Sequence, residues 1–203
     1  MKIEAPSLLE SAWLPTSRVL EPYNWLDVFG SENPVELELG SGDGGFILER
    51  ARRIPECNFL AVERLMGRAR KIVKRTLKSN LTNLKTLRLE SSYVVEHLCP
   101  PQSISVIHIM FPDPWPKKKH HKRRLIQDSF LDAMKRALIP GGTVRFSTDH
   151  EEYFQWALEI WNEHPDWKEL DVWNYEADPL TEFQQLWNQE GRKTFRTHRR
   201  VAS

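Results

Sequence analysis

The chain has 203 residues, 40% of them hydrophobic and 28% charged, which suits one soluble globular domain with room for a proper core. Net charge is only +1, yet six of the 29 lysines and arginines fall within residues 117–124; without them 23 basic residues face 28 acidic ones, so positive charge is focused. No apolar run reaches the roughly 18–20 residues of a membrane-spanning helix, no secretory segment opens the chain, and Cys57 and Cys99 form no disulfide framework or metal-ligand pair, so a cytoplasmic protein with no metal and no membrane association is expected.

In chain order, residues 1–33 carry no recognisable motif and read as an N-terminal extension of one domain spanning 1–203. From residue 34 strand and helix patterns alternate. VELEL (35–39) reads as a strand that ends in glycines, and GGFILERARRI (44–54) as a helix with Phe46, Ile47, Arg50, Ala51 and Ile54 inward, stopped by Pro55. NFLAVE (58–63) is a second strand, and Met66, Ala69, Ile72, Val73 and Leu77 give a basic amphipathic helix over about 65–78. LKTLRL (84–89) follows as a strand and SSYVVEHL (91–98) as a short helix. ISVIHIMF (104–111), continuous and β-branched, has the character of a buried central strand. A helix over 123–138, the pair Gly141–Gly142, a strand at 143–148 and a helix over 150–163 come next, with weaker strands at 168–176 and 193–200. This alternation implies an α/β fold, a mostly parallel central sheet with helices on both faces, whose ligands sit beyond the carboxyl ends of the strands.

Glu38-Leu-Gly40-Ser-Gly42-Asp-Gly44-Gly45 lies at such an end. Gly40, Gly42 and Gly45 satisfy a dinucleotide fingerprint, while Glu38, Gly40, Gly42 and Gly44 read as ExGxGxG, which resembles motif I of class I methyltransferases. Charge separates the two readings. Glu38, Glu63 and Glu90 stand in or after three successive strands; carboxylates attract a sulfonium and an ammonium but repel a pyrophosphate. A ligand such as S-adenosylmethionine is therefore favoured over a dinucleotide.

Phe111-Pro-Asp113-Pro-Trp115-Pro-Lys117 follows the central strand. Its prolines forbid helix and central strand alike and set Asp113 and Trp115 in a stiff extended loop. The loop runs into Lys117, Lys118, Lys119, His120, His121, Lys122, Arg123 and Arg124. An aromatic ring beside a cationic run offers a stacking face and counter-charge for single-stranded nucleic acid, with His120 and His121 as further phosphate contacts.

FPDPWPKKKHHKRRL resembles the signature of the bacterial tRNA (guanine-N(7)-)-methyltransferase family, and the resemblance extends over roughly residues 35–196, through ELGSGDGGF, Glu63, GGTVRFSTDH, TEFQ (181–184) and GRKTFR (191–196). It implies a Rossmann-like class I methyltransferase fold. It also implies methyl transfer from S-adenosylmethionine to N-7 of a guanine in tRNA, at position 46 of the variable loop. On that resemblance Glu38, Gly40, Gly42, Gly44, Glu63, Glu90 and Asp113 contact the donor, and Asp113 is also the catalytic residue. Lys117, Asp149, Thr181, Phe183 and Gln184 contact the substrate, and Lys118, Lys119, Lys122, Arg123 and Arg124 grip the tRNA backbone. The chain departs from the pattern at Glu90, where the family has Asp, and at Gln184, where it has Glu. The family includes monomers and homodimers. Two other readings stay open to test: a dinucleotide-dependent oxidoreductase and a non-catalytic RNA-binding relative.

Overall fold

The computed structural model describes residues 11–15, 19–171 and 178–202, the side chains of Glu182 and Phe183 excepted. Eight strands are described: β1 (Trp13–Leu14), β2 (Val35–Leu39), β3 (Asn58–Val62), β4 (Leu84–Leu87), β5 (Ile104–Met110), β6 (Leu138–Thr148), β7 (Trp167–Leu170) and β8 (Phe195–Val201). They form one sheet in the order β1-β4-β3-β2-β5-β6-β8-β7. Only β8 runs against its neighbours, pairing antiparallel with β6 and β7. From β2 the chain first builds outward through β3 and β4, then returns to lay β5 on the other side of β2. That reversal opens a crevice beyond the carboxyl ends of β2 and β5.

Helices are α1 (Trp25–Phe29), α2 (Gly45–Arg53), α3 (Met66–Lys78), α4 (Ser91–Tyr93, continuing as a π turn over Val94–Leu98), α5 (Asp128–Ala137), α6 (Glu151–Glu163) and α7 (Glu182–Gln189). Alternation along the strands divides them between two faces. Leu37, Leu39, Leu60, Val62, Ile107, Ile109, Val144 and Phe146 join the larger core with the residues of the π turn, α5 and α6. Phe59 and Ala61 face the other way, against Phe46, Ile47 and Ala51 of α2 and Ile72 of α3. Helices thus cover both faces, as the α/β alternation implies.

Three elements differ from the sequence reading. The helix expected over 123–138 begins only at Asp128, because Lys118–Arg123 winds as a 3-10 helix and Arg124 and Gln127 are extended. Phe111 and Trp115 adopt left-handed backbone, φ 53° and 44°, so the proline loop is kinked at both rather than extended throughout. The N-terminal extension contributes structure: Trp13 and Leu14 pair in parallel with Thr86 and Leu87 as an edge strand, and the Trp25 indole donates to Ser103 Oγ at 2.9 Å. Residues 172–176 of the strand expected over 168–176 lie outside the described residues.

Candidate active site

The glycine loop between β2 and α2 is shaped by carboxylates. Glu63, 5% exposed at the end of β3, accepts the N–H of Gly42 at 2.9 Å on one oxygen and that of Leu65 at 2.7 Å on the other. A carboxylate has about four acceptor directions, so two remain for incoming hydroxyls. Glu38 is 2% exposed, and its Oε2 has no hydrogen-bond partner among the described residues. Burial, and then the neighbouring Glu63 carboxylate, push the Glu38 carboxyl up to about 8. A buried acid this perturbed, at a ligand crevice, is where a functional group is expected. Gly44 does something else. It is buried at φ 77°, a Cβ there would come within 2.8 Å of Ile72, and it does not line the crevice. The expected donor contact at Gly44 is corrected to close packing of α2 on α3.

Glu90 caps α4, accepting from the Tyr93 N–H at 3.0 Å and the Ser92 hydroxyl at 2.6 Å, and its exposed side chain reaches the same crevice. The longer Glu in place of Asp therefore serves as an N-cap at the cleft rim.

Beyond β5, Asp113 is exposed and Trp115 half-buried, both on the cleft wall. The Arg123 guanidinium lies 4.9 Å from the Trp115 ring centre and the His120 ring meets its edge at 5.8 Å. Lys117, Lys118, Lys119, Lys122 and Arg123 are exposed, as a phosphate-binding tract requires. Arg124 is not: it is 2% exposed, donates from Nε to the Pro114 carbonyl at 2.9 Å and pairs with Glu152 through both terminal nitrogens. Its guanidinium also packs 5.0 Å from Tyr153 and 5.2 Å from Trp156. The expected phosphate contact at Arg124 is corrected accordingly; this side chain pins the proline loop to α6. His121 likewise turns inward, its ring 5.4 Å from Trp156 and its Nε2 buried.

The opposite rim comes from the segment before α7. Asp178 is held by Arg50 at 2.6 Å and by Arg145 at 2.9 Å, and Arg50 also binds both oxygens of Glu36 at 2.5 and 2.9 Å. His108 Nε2 approaches the same carboxylate at 2.9 Å. Burial would raise the Glu36 carboxyl, but hydrogen bonds from His108 and Arg50 hold it at about 2; burial brings His108 down to about 4. This chain of charges lies on the α2 face of the sheet and ends where the rim begins. Thr181 follows, accepting the Gln184 N–H at 3.0 Å as the cap of α7, and lines the cleft together with Leu186. Gln184 is buried at 7% exposure, Asp149 is half-buried beyond β6, and neither they nor Lys117 line the cleft. The Phe183 side chain lies outside the described residues.

Together these elements enclose a cleft of about 720 Å³. It gathers Glu38, Gly40, Gly42, Glu63, Glu90, Asp113, Arg123 and Thr181 from the sequence-derived set. It also gathers Arg64, Leu65, Arg68, Leu125 and Leu186, which sequence reasoning missed. A signal for Arg64 and Arg68 exists: Arg64 directly follows the strand-end acid Glu63, and Arg68 lies in the first turn of a helix already read as basic. An anionic floor with cationic shoulders can hold a compact cation beneath a polyanionic strand.

Sheet order, switch-point crevice and carboxylate-floored glycine loop define a Rossmann-like class I methyltransferase fold. A solved structure titled as the 16S rRNA methyltransferase KamB superimposes with a TM-score of 0.67 at 18% identity, covering 94% of this chain and 99% of that one. The family model described as "Putative methyltransferase" matches residues 32–197. A tRNA (guanine-N(7)-)-methyltransferase of Streptococcus pyogenes serotype M6 is 32% identical over 177 residues, 85% of this chain and 83% of its own. One of Streptococcus mutans is 31% identical over 182 residues, 87% of this chain and 86% of its own. The chain belongs to the tRNA (guanine-N(7)-)-methyltransferase family.

Proposed function

We propose that this protein transfers a methyl group from S-adenosylmethionine to N-7 of a guanine in tRNA, at position 46 of the variable loop. The observation that carries the reading is the Glu38 carboxylate, buried and with an unpartnered oxygen beside Glu63 at the floor of the cleft. A sulfonium ligand bearing an ammonium fits that floor; a pyrophosphate does not. The close backbone approach at Gly40 and Gly42 and the remaining acceptor capacity of Glu63 suit the nucleoside part, with Glu90 at the rim.

When bound, S-adenosylmethionine supplies an electrophilic methyl group that leaves as its carbon–sulfur bond breaks. Guanine N-7 carries a lone pair and no hydrogen, so no residue has to remove a proton. The protein's work is alignment and charge placement. Asp113, at the cleft wall, orients the base and counters the positive charge that develops on its imidazole ring. Lys117, Asp149, Thr181, Phe183 and Gln184 contact the substrate, and Lys118, Lys119, Lys122 and Arg123 hold the phosphate backbone. Gln184 can hydrogen-bond guanine but, unlike a carboxylate, adds no counter-charge.

Incubation with methyl-labelled donor and bulk tRNA lacking the modification tests the reading. Label should enter tRNA, and chemical cleavage at 7-methylguanosine should map it to one position. Tight donor binding without label in tRNA would reduce the protein to a binding relative.

A further inference from the structure

The strand order puts two basic segments on either side of one cleft. Asp113 to Arg123 follow β5, Arg64 to Lys78 follow β3, and β2 lies between them. Arg123 lines one wall of the cleft with Trp115; Arg64 and Arg68 line the wall that follows β3. Only the first of these segments belongs to the expected RNA-binding residues.

The second is unusual as a helix surface. Residues 64–78 contain Arg64, Arg68, Arg70, Lys71, Lys74, Arg75 and Lys78 and no acidic residue. Arg68, Lys71, Arg75 and Lys78 are spaced three, four and three apart, which aligns them as one stripe over roughly 15 Å of helix, with Arg64 just ahead of its first turn. Ala69, Ile72, Val73 and Thr76 bury the opposite side, so the stripe is turned outward. All of these cations are exposed except Arg75, which is half-buried. Asp43 of the glycine loop is tied to the stripe through the Lys71 ammonium and, by its carbonyl, through Arg75 Nη1 at 2.7 Å.

A solvated helix face normally mixes signs. Here Arg70–Lys74, Lys71–Arg75 and Lys74–Lys78 are like charges four residues apart on the helix, each unfavourable by about 0.2–0.5 kcal/mol. A phosphate strand on the stripe would turn that repulsion into attraction and release counterions.

We propose that the basic face of α3 is the second wall of an RNA cradle. It grips tRNA phosphates on the side of the cleft opposite Lys117–Arg123, so that the target guanine enters between two cationic banks. The inference rests on the reading of this chain as a tRNA methyltransferase.

The test is the double variant Lys74→Glu/Lys78→Glu, both sites exposed and outside the cleft. Binding of unmodified tRNA is measured over a range of salt, beside Lys118→Ala/Lys119→Ala/Lys122→Ala, with donor affinity followed by calorimetry. The α3 variant should bind tRNA at least ~10-fold more weakly near 0.1 M salt, with a log–log salt slope shallower by about 1–2. Donor affinity should stay at the wild-type value. In the wild-type protein, Lys74 and Lys78 should lose reactivity toward an acylating reagent when tRNA is added. Wild-type affinity and slope in the α3 variant, or unchanged lysine reactivity, overturns the inference. Loss of binding confined to the 118/119/122 variant would leave the proposed function standing. A wild-type protein that neither binds nor methylates tRNA overturns both.

Discussion

Arg50 binds Glu36 of β2 and Asp178 of the rim segment with one guanidinium, at 2.5 and 2.6 Å, and so ties the sheet to the polypeptide that carries Thr181. Arg50 is 7% exposed and Arg145 supports Asp178 from β6. The rim of the cleft is thus fixed by a buried chain of alternating charge rather than by apolar packing alone.

Removing one member should be costly, because its partner stays buried and uncompensated. Asp178→Ala is expected to lower unfolding free energy by about 3 kcal/mol, read from urea denaturation at pH 7. A loss under about 0.5 kcal/mol would mean that the two arginines find other partners.

With Glu38 facing the donor as proposed, donor binding is expected to depend on pH. The Glu38 carboxyl, held at about 8, is mostly protonated at neutral pH, and a cationic ligand favours the ionised form. Affinity should therefore rise up to about tenfold per pH unit toward pH 8 and flatten above it, with a proton released on binding at pH 7. Calorimetry in buffers of different ionisation heat measures that proton, and Glu38→Gln should abolish both its release and the slope. The stability effect has the opposite sign. The folded chain keeps a proton that the unfolded carboxyl gives up near its ordinary value of 4.5, so stability falls as pH rises from there to about 8. Glu38→Gln should remove that decline and melt at a higher temperature at pH 8. Equal melting temperatures and an unaltered slope would show that Glu38 does not face the ligand.

Asp113→Asn should reduce turnover by 10²-fold or more, the order of loss when a preorganised electrostatic group is removed. Affinity for tRNA should change little, because the exposed lysines remain. Single-turnover rates beside filter-binding constants separate the two, and an unaltered rate removes Asp113 from catalysis.

Neighbours in the basic run should respond differently. Replacing Lys118, Lys119 and Lys122 by alanine is expected to weaken tRNA binding and lower its salt slope by about 2 without shifting the melting temperature. Arg124→Ala should destabilise the fold by about 2–3 kcal/mol, since it empties a buried site against Tyr153 and Trp156 and leaves the Pro114 carbonyl without its donor. If Arg124→Ala changed only the salt slope, the side chain would belong to the RNA surface after all.

The difference between Arg124 and Lys122 was not legible in a run of like residues, because a charge count carries no direction. The 3-10 turn over Lys118–Arg123 decides which cations point outward, and no apolar periodicity announced it. The central strands were legible for the opposite reason: β2 and β3 are buried on both faces, and their apolar residues and glycine ends leave little choice. Glu38, Glu63 and Asp113 could be read because a parallel sheet brings strand ends together wherever they lie in the chain. The Arg50–Asp178 bridge spans 128 positions and has no local signature. The edge strand at Trp13–Leu14 is too short to show alternation.

Asp43 has a further consequence. It sits in the glycine loop, and its side chain holds Lys71 of the α3 stripe. An RNA phosphate on that stripe would compete with Asp43 for the same ammonium and so would alter the glycine loop. Thermodynamic linkage would then make the two ligands answer each other by one common factor, whichever arrives first.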